Sequence, residues 1–277
     1  MRTRTLSVAA LWLVFPVAVA LGQQTPSASP VHAATPSQAD CTGFIAKTHV
    51  PTDVIVRDGA NDDLREAIRQ FAINDSIYLY NRHKGNFSVG EEYSIVRPAT
   101  LSFRTTRYSG EHWAVHALGT PYEDVGRARV THVTPQGAVA EVSFACGPIY
   151  PGDIAVLYQP KPIPDYVPEK LDRFPLPNGK IQGKITAARR NFASVGQGDV
   201  VYLNFGEKKG AQVGQRYRVY YVPAAAAFGH RALLGYPPMP RETVGEIVVL
   251  STQEKSAAAI IVSCTRDINV GYGVELE

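Results

Sequence analysis

The stretch Gly198-Asp-Val-Val-Tyr-Leu203, followed by Gly206-Glu-Lys-Lys-Gly210 and Val213-Gly-Gln-Arg-Tyr-Arg-Val219, decides the fold because the chain contains it twice. The first copy, residues 75–95, lies 124 positions earlier. At the end of both copies apolar and polar residues alternate, as in a β-strand with one buried face. The glycines between the two apolar runs predict a hairpin turn. The duplication predicts two modules with the same fold.

Two further pairs of matching segments complete each module. Residues 125–130 match residues 244–249, and residues 138–142 match residues 257–261, both at an offset of 119 positions. Their β-branched residues and the polar turns between them predict strands. Apolar residues at helical spacing predict one short amphipathic helix in the first module. These residues are Leu64, Ala67, Ile68 and Phe71.

The chain outside the modules divides into three segments. Residues 1–22 combine a basic start, an apolar run and a small-residue motif ending at Gly22, and they predict a secretory signal peptide. An uncleaved membrane anchor is the alternative, but the apolar run is short for a span of about 20 residues. Residues 23–40 are rich in Ser, Ala, Pro and Thr and predict a disordered tether. Residues 159–178 carry six prolines and predict a stiff linker. The two modules are therefore residues 41–158 and 179–277.

Removal of the signal peptide leaves a nearly neutral chain. It takes away two arginines and no acids, so 26 basic and 25 acidic residues remain, a net charge of +1. That charge does not favour a nucleic acid or an anionic membrane surface as a partner. No other segment is apolar enough to cross a bilayer. We therefore expect a periplasmic or extracellular protein that is not an integral membrane protein.

The three cysteines allow one disulfide in an oxidising compartment. Pairing of Cys41 with Cys146 would fasten the start of the first module, because both residues lie in that module. Pairing of Cys146 with Cys264 would instead join nearly equivalent positions of the two modules. Three unpaired thiols are the third possibility.

The repeated pattern resembles a group of bacterial envelope domains. The pattern is Gly-Asp-Val-Val-Tyr-Leu, then Gly, Val-Gly-x-x-Tyr-x-Val, Val-Gly-x-x-x-Val and Ala-x-Ala-x-Ile-x-x-Ser. It is similar to the β-domains that often follow LysM peptidoglycan-binding modules in secreted proteins, and to the C-terminal domain of the flagellar assembly protein T. The resemblance covers most of residues 70–277, in two tandem copies. It implies small β-barrel-like domains, a Gram-negative envelope location and a non-enzymatic role.

Two departures from that family limit what carries over. No LysM sequence is present, so peptidoglycan binding does not follow from the resemblance. Gly152-Asp153 of the first copy becomes Gly271-Tyr272 in the second, which argues against a shared carboxylate chemistry. We predict a mainly β chain of two tandem barrel-like modules, each with a minor helix, joined by a proline-rich linker.

No catalytic or metal-binding motif stands out in the sequence. His112 and His116 are four positions apart, but a zinc-protease helix needs Glu directly after the first His, where this chain has Trp113. A third ligand is not indicated, so we predict no metal and no cofactor. Asp75 and Asp199 stand before equivalent strands of different modules, where a turn-capping role is expected.

The two modules differ most in long inserts, residues 98–121 and residues 223–240. Loops that differ on a shared scaffold usually carry function. The inserts combine charged and aromatic residues that could contact a protein or a glycan. The candidate partner-binding residues are Arg104, Arg107, Tyr108, Trp113, Phe228 and Tyr236.

These observations predict a non-catalytic scaffold or interaction protein of the cell envelope, whose two loops contact an envelope protein or glycan. The main alternative is a carbohydrate-binding protein that contacts peptidoglycan or a polysaccharide through Tyr108, Trp113 and Tyr236. An enzyme is the third possibility.

Overall fold

The chain folds into two closed β-barrels. The computed structural model describes residues 29–59, 70–83, 86–99, 110–223 and 240–277. Each barrel has six strands, which confirms the predicted fold class of two tandem small barrels in a mainly β chain. The predicted signal peptide lies outside the described residues. Of the predicted amphipathic helix only the end is described, where Phe71 forms an isolated bridge with Ile149.

The regular elements are short and mostly antiparallel strands. The strands are β1 (Val31–His32), β2 (Phe44–Ala46), β3 (Val54–Gly59), β4 (Ser76–Asn81), β5 (Glu92–Pro98), β6 (Thr120–Thr134), β7 (Gly137–Ala145), β8 (Ile154–Leu157), β9 (Asp165–Tyr166), β10 (Gln182–Ala188), β11 (Ser194–Val195), β12 (Val200–Leu203), β13 (Arg216–Tyr221), β14 (Glu242–Thr252), β15 (Ala257–Cys264), β16 (Ile268–Asn269) and β17 (Gly273–Leu276). The helices are α1 (Pro36–Asp40) and α2 (Glu111–Leu118), with 3-10 turns at Arg189–Asn191 and Glu207–Lys209.

The two barrels have the same strand order. Barrel one runs β3-β4-β7-β6-β5-β8 and barrel two runs β10-β12-β15-β14-β13-β17, each returning to its first strand. The register matches as well. Arg129 of β6 pairs with Glu141 of β7, and at the 119-position offset Val248 of β14 pairs with Ile260 of β15. The sequence repeat is therefore a repeat of topology and register.

The turns before β4 and β12 are built alike. Asp75 and Asp199 each accept a hydrogen bond, at 2.8 Å, from the backbone amide three residues earlier. The residue before each aspartate has a left-handed backbone, Asn74 with φ 71° and Gly198 with φ 87°. Asn and Gly are the residues that adopt this conformation most readily. The two aspartates thus cap turns.

The predicted hairpin turn at residues 206–210 is wrong. β12 pairs with β10 and β15, whereas β13 pairs with β14 and β17, so the two flanking strands are not neighbours. Gly206 instead lies against the β14–β15 turn, where a Cβ on it would be 2.0 Å from the Gln253 carbonyl oxygen. Glu207 N donates to that same oxygen at 3.0 Å. Glycine is required here because two backbones approach closely.

Residues 29–40 form β1 and α1 with short connecting segments, which corrects the predicted disordered tether of residues 23–40 over its described part. Thr35 and Gln38 form a capping box at the start of α1, with Thr35 N donating to Gln38 Oε1 at 2.8 Å and Gln38 N donating to Thr35 Oγ1 at 3.2 Å. Pro36 occupies the first turn, where its missing amide costs nothing. The segment therefore has a helix start that its Ser-, Ala- and Pro-rich composition concealed.

The N-terminal segment is also packed onto the outside of barrel two. β1 pairs with β9 of the linker, and Ala33 N donates to Pro164 O at 2.9 Å. Ala33 and Ala34 bury the outer face of β14 and β15, which is apolar although it points away from the barrel interior. That covered face consists of Val248, Leu250, Ile260 and Val262.

A disulfide joins Cys41, directly after α1, to Cys146 at the end of β7, and Cys264 is a half-buried free thiol. The segment from β1 to Cys41 thus begins on barrel two and ends covalently attached to barrel one. Residues 184–190, for which the sequence left strand and helix open, form the end of β10 and the start of a 3-10 turn. The linker contributes the short strand β9, and the described residues of the linker contain no helix.

Candidate functional site

Helix α2 lies at the junction of the two barrels. The insert of residues 98–121 was predicted to be a loop, but Gly110 and Gly119 bound a two-turn helix within it. Gly119 (φ 134°) is required at the end because a Cβ there would lie 2.1 Å from the Ala46 carbonyl oxygen. The inner residues Val115 and Leu118 are buried in a cluster contributed by β2 and barrel two. The other members of that cluster are Ile45, Ala187, Val200, Tyr202 and Ala258.

Hydrogen bonds across the same junction fix barrel two against β2. Tyr202 Oη donates to the Thr42 carbonyl oxygen at 2.9 Å, and Ser256 Oγ donates to the Ile45 carbonyl oxygen at 2.5 Å. Burial, and then the nearby Asp124 carboxylate, raise the pKa of Tyr202, so its hydroxyl remains a donor. Buried donors paired in this way hold two elements in one orientation. Helix α2 therefore rests on a fixed base.

The outer side of α2 carries the exposed rings of His112, Trp113 and His116, which we call the α2 face. Trp113 is 77% exposed. The two imidazole rings are nearly parallel, with centroids 6.2 Å apart, and the Trp113 ring stands edge-on to His112 at 6.1 Å. A tryptophan is rarely this exposed, since it buries more apolar area than other side chains. The α2 face is thus an apolar and polarisable surface on a rigid support.

The structure describes one of the six residues predicted to bind a partner. Trp113 lies on α2, immediately after the segment of residues 100–109 that contains Arg104, Arg107 and Tyr108. That segment and residues 224–239, which contain Phe228 and Tyr236, lie outside the described residues.

The residues considered for catalysis or metal binding have separate environments. Asp75 and Asp199 cap turns in different barrels, and Asp153 is buried against Arg97, whose Nε and Nη2 donate to it at 2.6 and 2.5 Å. Within the described ranges, no group of three or more His, Cys, Asp or Glu side chains could hold a metal ion. His112 and His116 therefore stand as a pair on the α2 face.

A second candidate site lies where the linker crosses barrel two. We call Glu169, Arg216, Glu246 and Glu277 the linker cluster. Arg216 lies 3.2 Å from Glu169 (Nη1 to Oε1), 3.1 Å from Glu246 (Nε to Oε1) and 2.8 Å from Glu277 (Nη2 to Oε2). Its Nη1 also donates to the Val167 carbonyl oxygen at 2.5 Å. One guanidinium thus contacts three carboxylates and the linker backbone.

Two buried glutamates of barrel two have opposite electrostatic environments. Burial, and then the neighbouring Glu277 carboxylate, raise the pKa of Glu246 to about 7 in spite of Arg216. Burial alone would also raise the pKa of Glu275, but hydrogen bonds from Arg218 and Arg241 lower it overall. The two glutamates differ in the donors around them. Arg218 and Arg241 both donate to Glu275 Oε2 at 2.5 Å. Glu246 has only Arg216 beside it, and Arg216 also contacts Glu169 and Glu277.

Sequence patterns pointed only weakly to the linker cluster. Arg216 alternates with apolar residues in β13, which indicates an outward polar side chain. Glu246 interrupts the apolar run of residues 244–250, and a carboxylate inside such a run is a signal for a paired, buried charge. Neither pattern identifies Glu169 or Glu277. These two residues belong to the linker and to the C-terminal end of the chain, and only folding brings them to Arg216.

No helix among the described residues is long and apolar enough to cross a membrane. A scan against protein-family models found no match for this chain, and a search of curated proteins also found none.

Proposed function

We propose that this chain is a non-catalytic, secreted cell-envelope interaction protein that docks a partner on the α2 face. The observation that carries the proposal is Trp113, a 77% exposed tryptophan on a helix whose other side is buried against β2 and barrel two. Exposed aromatic anchors on a rigid support dominate the binding energy of many interfaces, because they lose little conformational freedom on binding. The adjoining residues 100–109 would extend the contact with Arg104, Arg107 and Tyr108.

The preferred partner is an envelope protein. The residues of the α2 face are aromatic or imidazole side chains, which suit a mixed apolar and polar interface. The two barrels serve as a scaffold that holds the α2 face, and the second insert, with Phe228 and Tyr236, remains a further candidate contact from its sequence. Export through the predicted signal peptide requires a mature chain that begins near residue 23, which N-terminal sequencing of the exported protein would check.

A photo-crosslinking residue at position 113 tests the docking site in intact cells. A partner caught there, identified by mass spectrometry, should rebind the purified mature chain and lose about tenfold or more in affinity on Trp113→Ala, the range for an interface anchor. Phe174→Ala is the matched control, because Phe174 is a 51% exposed aromatic residue on the linker. An equal loss of affinity in both variants, or an affinity that Trp113→Ala does not change, would show that the partner does not dock on the α2 face.

A glycan is the second candidate partner, since an exposed indole face also stacks on sugar rings. Trp113 is the sole tryptophan after signal-peptide removal, so its fluorescence reports directly on this surface. Peptidoglycan fragments or a polysaccharide that shift the Trp113 emission, together with retention on purified peptidoglycan lost in Trp113→Ala, would favour the glycan over the protein partner.

A further inference from the structure

A cavity of about 410 Å³ separates the linker from the outer face of β13, β14 and β17. The linker cluster lines it, together with Thr243 of β14. The β13–β14 ladder shifts register between Gly245 and Thr243, which turns Thr243 toward the same outer side as Glu246. A local irregularity of the strand thus brings a hydroxyl and a carboxylate to one cavity.

Both of these side chains are buried and incompletely bonded. Thr243 is 3% exposed and Glu246 is 1% exposed. Within the described part of the chain, neither Thr243 Oγ1 nor Glu246 Oε1 has a hydrogen-bond partner, since the contact of Glu246 with Arg216 Nε lacks hydrogen-bond geometry. Leaving a buried polar atom unbonded costs about 1–3 kcal/mol, so two of them beside one cavity indicate a missing partner.

The charge of the cluster defines the chemistry of that partner. Glu169, Glu246 and Glu277 surround the single guanidinium of Arg216. Lys170, Asp172 and Arg218 also line the cavity, so its four acidic side chains outnumber its three basic ones by one when all are ionised. A partner that donates hydrogen bonds and carries positive charge would satisfy the unbonded oxygens and the excess charge together.

We propose that this cavity binds the primary ammonium group of a small organic amine, held by Glu246, Glu277 and Thr243. An ammonium group is compact, carries three donors and has no acceptor, which suits the unbonded oxygens of Thr243 and Glu246 that line this cavity. The described residues of the cluster do not form a metal site, which favours an organic cation. This site is separate from the α2 face, and the inference does not depend on the proposed function.

Protonation of Glu246 and binding of the positively charged ligand compete, because each neutralises the same carboxylate. Arg216, Glu277, Glu169 and Tyr166 all face this carboxyl, and its pKa of about 7 shows that the acids and burial outweigh the arginine. An ammonium ligand must displace that proton to bind. The apparent affinity therefore rises as the pH rises toward the pKa and levels off above it.

Calorimetric titration of the mature chain with methylammonium chloride tests the inference. At about pH 8 we expect saturable binding, at least about tenfold weaker at about pH 5 because Glu246 is then protonated. Tetramethylammonium chloride at the same ionic strength, which lacks N–H donors, should not bind. Glu246→Gln should weaken methylammonium binding about tenfold or more, as should Thr243→Val to a smaller extent. Glu141→Gln, at an exposed carboxylate of barrel one, is the matched control.

Three results would overturn the inference. They are no saturable binding of methylammonium, equal binding of tetramethylammonium, and equal binding by Glu246→Gln and the wild type. If Glu246→Gln does not fold, the comparison of the two cations, the pH dependence and Thr243→Val still decide the question on soluble protein.

Discussion

Barrel one and barrel two have the same strands in the same register, yet their outer faces are opposite in character. On barrel one the outer positions of β6 and β7 are polar and largely exposed. At the same positions of barrel two, β14 and β15 are apolar and buried by Ala33, Ala34 and the linker. The matched residues are Arg129, Thr131, Glu141 and Ser143 on barrel one, and Val248, Leu250, Ile260 and Val262 on barrel two.

One tyrosine shows the same difference at a single position. Tyr78 of barrel one and Tyr202 of barrel two are equivalent, but Tyr78 is 42% exposed whereas Tyr202 is buried in the junction. The interiors are thus repeated, and the outer surfaces have diverged. Barrel two is the barrel against which the N-terminal segment, the linker and α2 pack, so its outer face acts as a second core.

The junction tyrosine gives the largest expected effect. Tyr202→Ala should lower the free energy of unfolding by about 4 kcal/mol, because it removes a buried ring and its hydrogen bond to Thr42 O. Tyr78→Ala should change it by about 1 kcal/mol or less, since that ring is largely solvated. Urea unfolding followed by circular dichroism measures both. Equal losses would show that burial of Tyr202 in the junction adds nothing to the free energy of unfolding.

Transplanting a barrel-one residue onto barrel two tests the covered face. Ile260→Glu should cost about 3 kcal/mol, because it buries an unpaired carboxylate under the N-terminal segment. The reverse exchange, Glu141→Ile, should cost about 1 kcal/mol or less on the exposed face of barrel one.

Hydrogen exchange locates the damage from Ile260→Glu. The Ala33 amide, which donates to Pro164 O, should lose its protection, because the segment detaches when the surface beneath it becomes charged. Retained protection of Ala33 together with a global loss of stability would mean that the segment is not held by this face.

The pH dependence of stability should come mainly from barrel two. Glu246 has a folded pKa of about 7, above its ordinary value of 4.5, so between these pH values the folded chain binds more protons than the unfolded chain. Stability should therefore fall as the pH rises through this window and level off above it. The fall should be on the order of 1–2 kcal/mol between about pH 5 and about pH 8, measured by urea unfolding.

Glu246→Gln should flatten that dependence and be more stable than the wild type at the higher pH, because it keeps the bonding of the protonated acid. Glu141→Gln, on the solvated face of barrel one, should leave the slope unchanged. A slope that persists in Glu246→Gln would assign the effect to other carboxylates.

The sequence predicted what the two copies share. Repeated alternation such as that around Tyr93 and Tyr217 indicates strands with one buried face, and the fixed offsets imply equal topology. It did not reveal that the strands flanking Gly206 are not neighbours. Local patterns specify a strand and a turn, whereas strand neighbours depend on contacts with distant residues.

The parts that the sequence missed depend on contacts between segments that are far apart in the chain. The capping box at Thr35 and Gln38 was not recognised in the sequence, and the segment packs as it does because Ala33 and Ala34 cover an apolar face more than 200 positions away. Helix α2 is too short to be stable alone and forms because Val115 and Leu118 are buried by barrel two. Trp113 could therefore be nominated from its residue type, but its rigid support could not.

A final pair of equivalent sites separates the barrels by chemistry rather than by burial. Barrel one joins Arg97 to Asp153 by two hydrogen bonds, whereas the same two positions of barrel two are Tyr221 and Tyr272, whose rings lie 5.6 Å apart. In barrel one a charged pair connects β5 to the turn before β8. In barrel two an aromatic pair makes the equivalent connection between β13 and the turn before β17.

If each pair works as a unit, exchanging one member should be worse than exchanging both. Tyr272→Asp leaves a carboxylate beside an aromatic ring, and adding Tyr221→Arg supplies the guanidinium that barrel one uses. The double variant should therefore be more stable than the sum of the two single changes predicts, by about 1 kcal/mol of coupling, measured in a urea-unfolding double-mutant cycle. Strict additivity would mean that the two positions changed independently, and that only the framework around them, and not this contact, is common to both barrels.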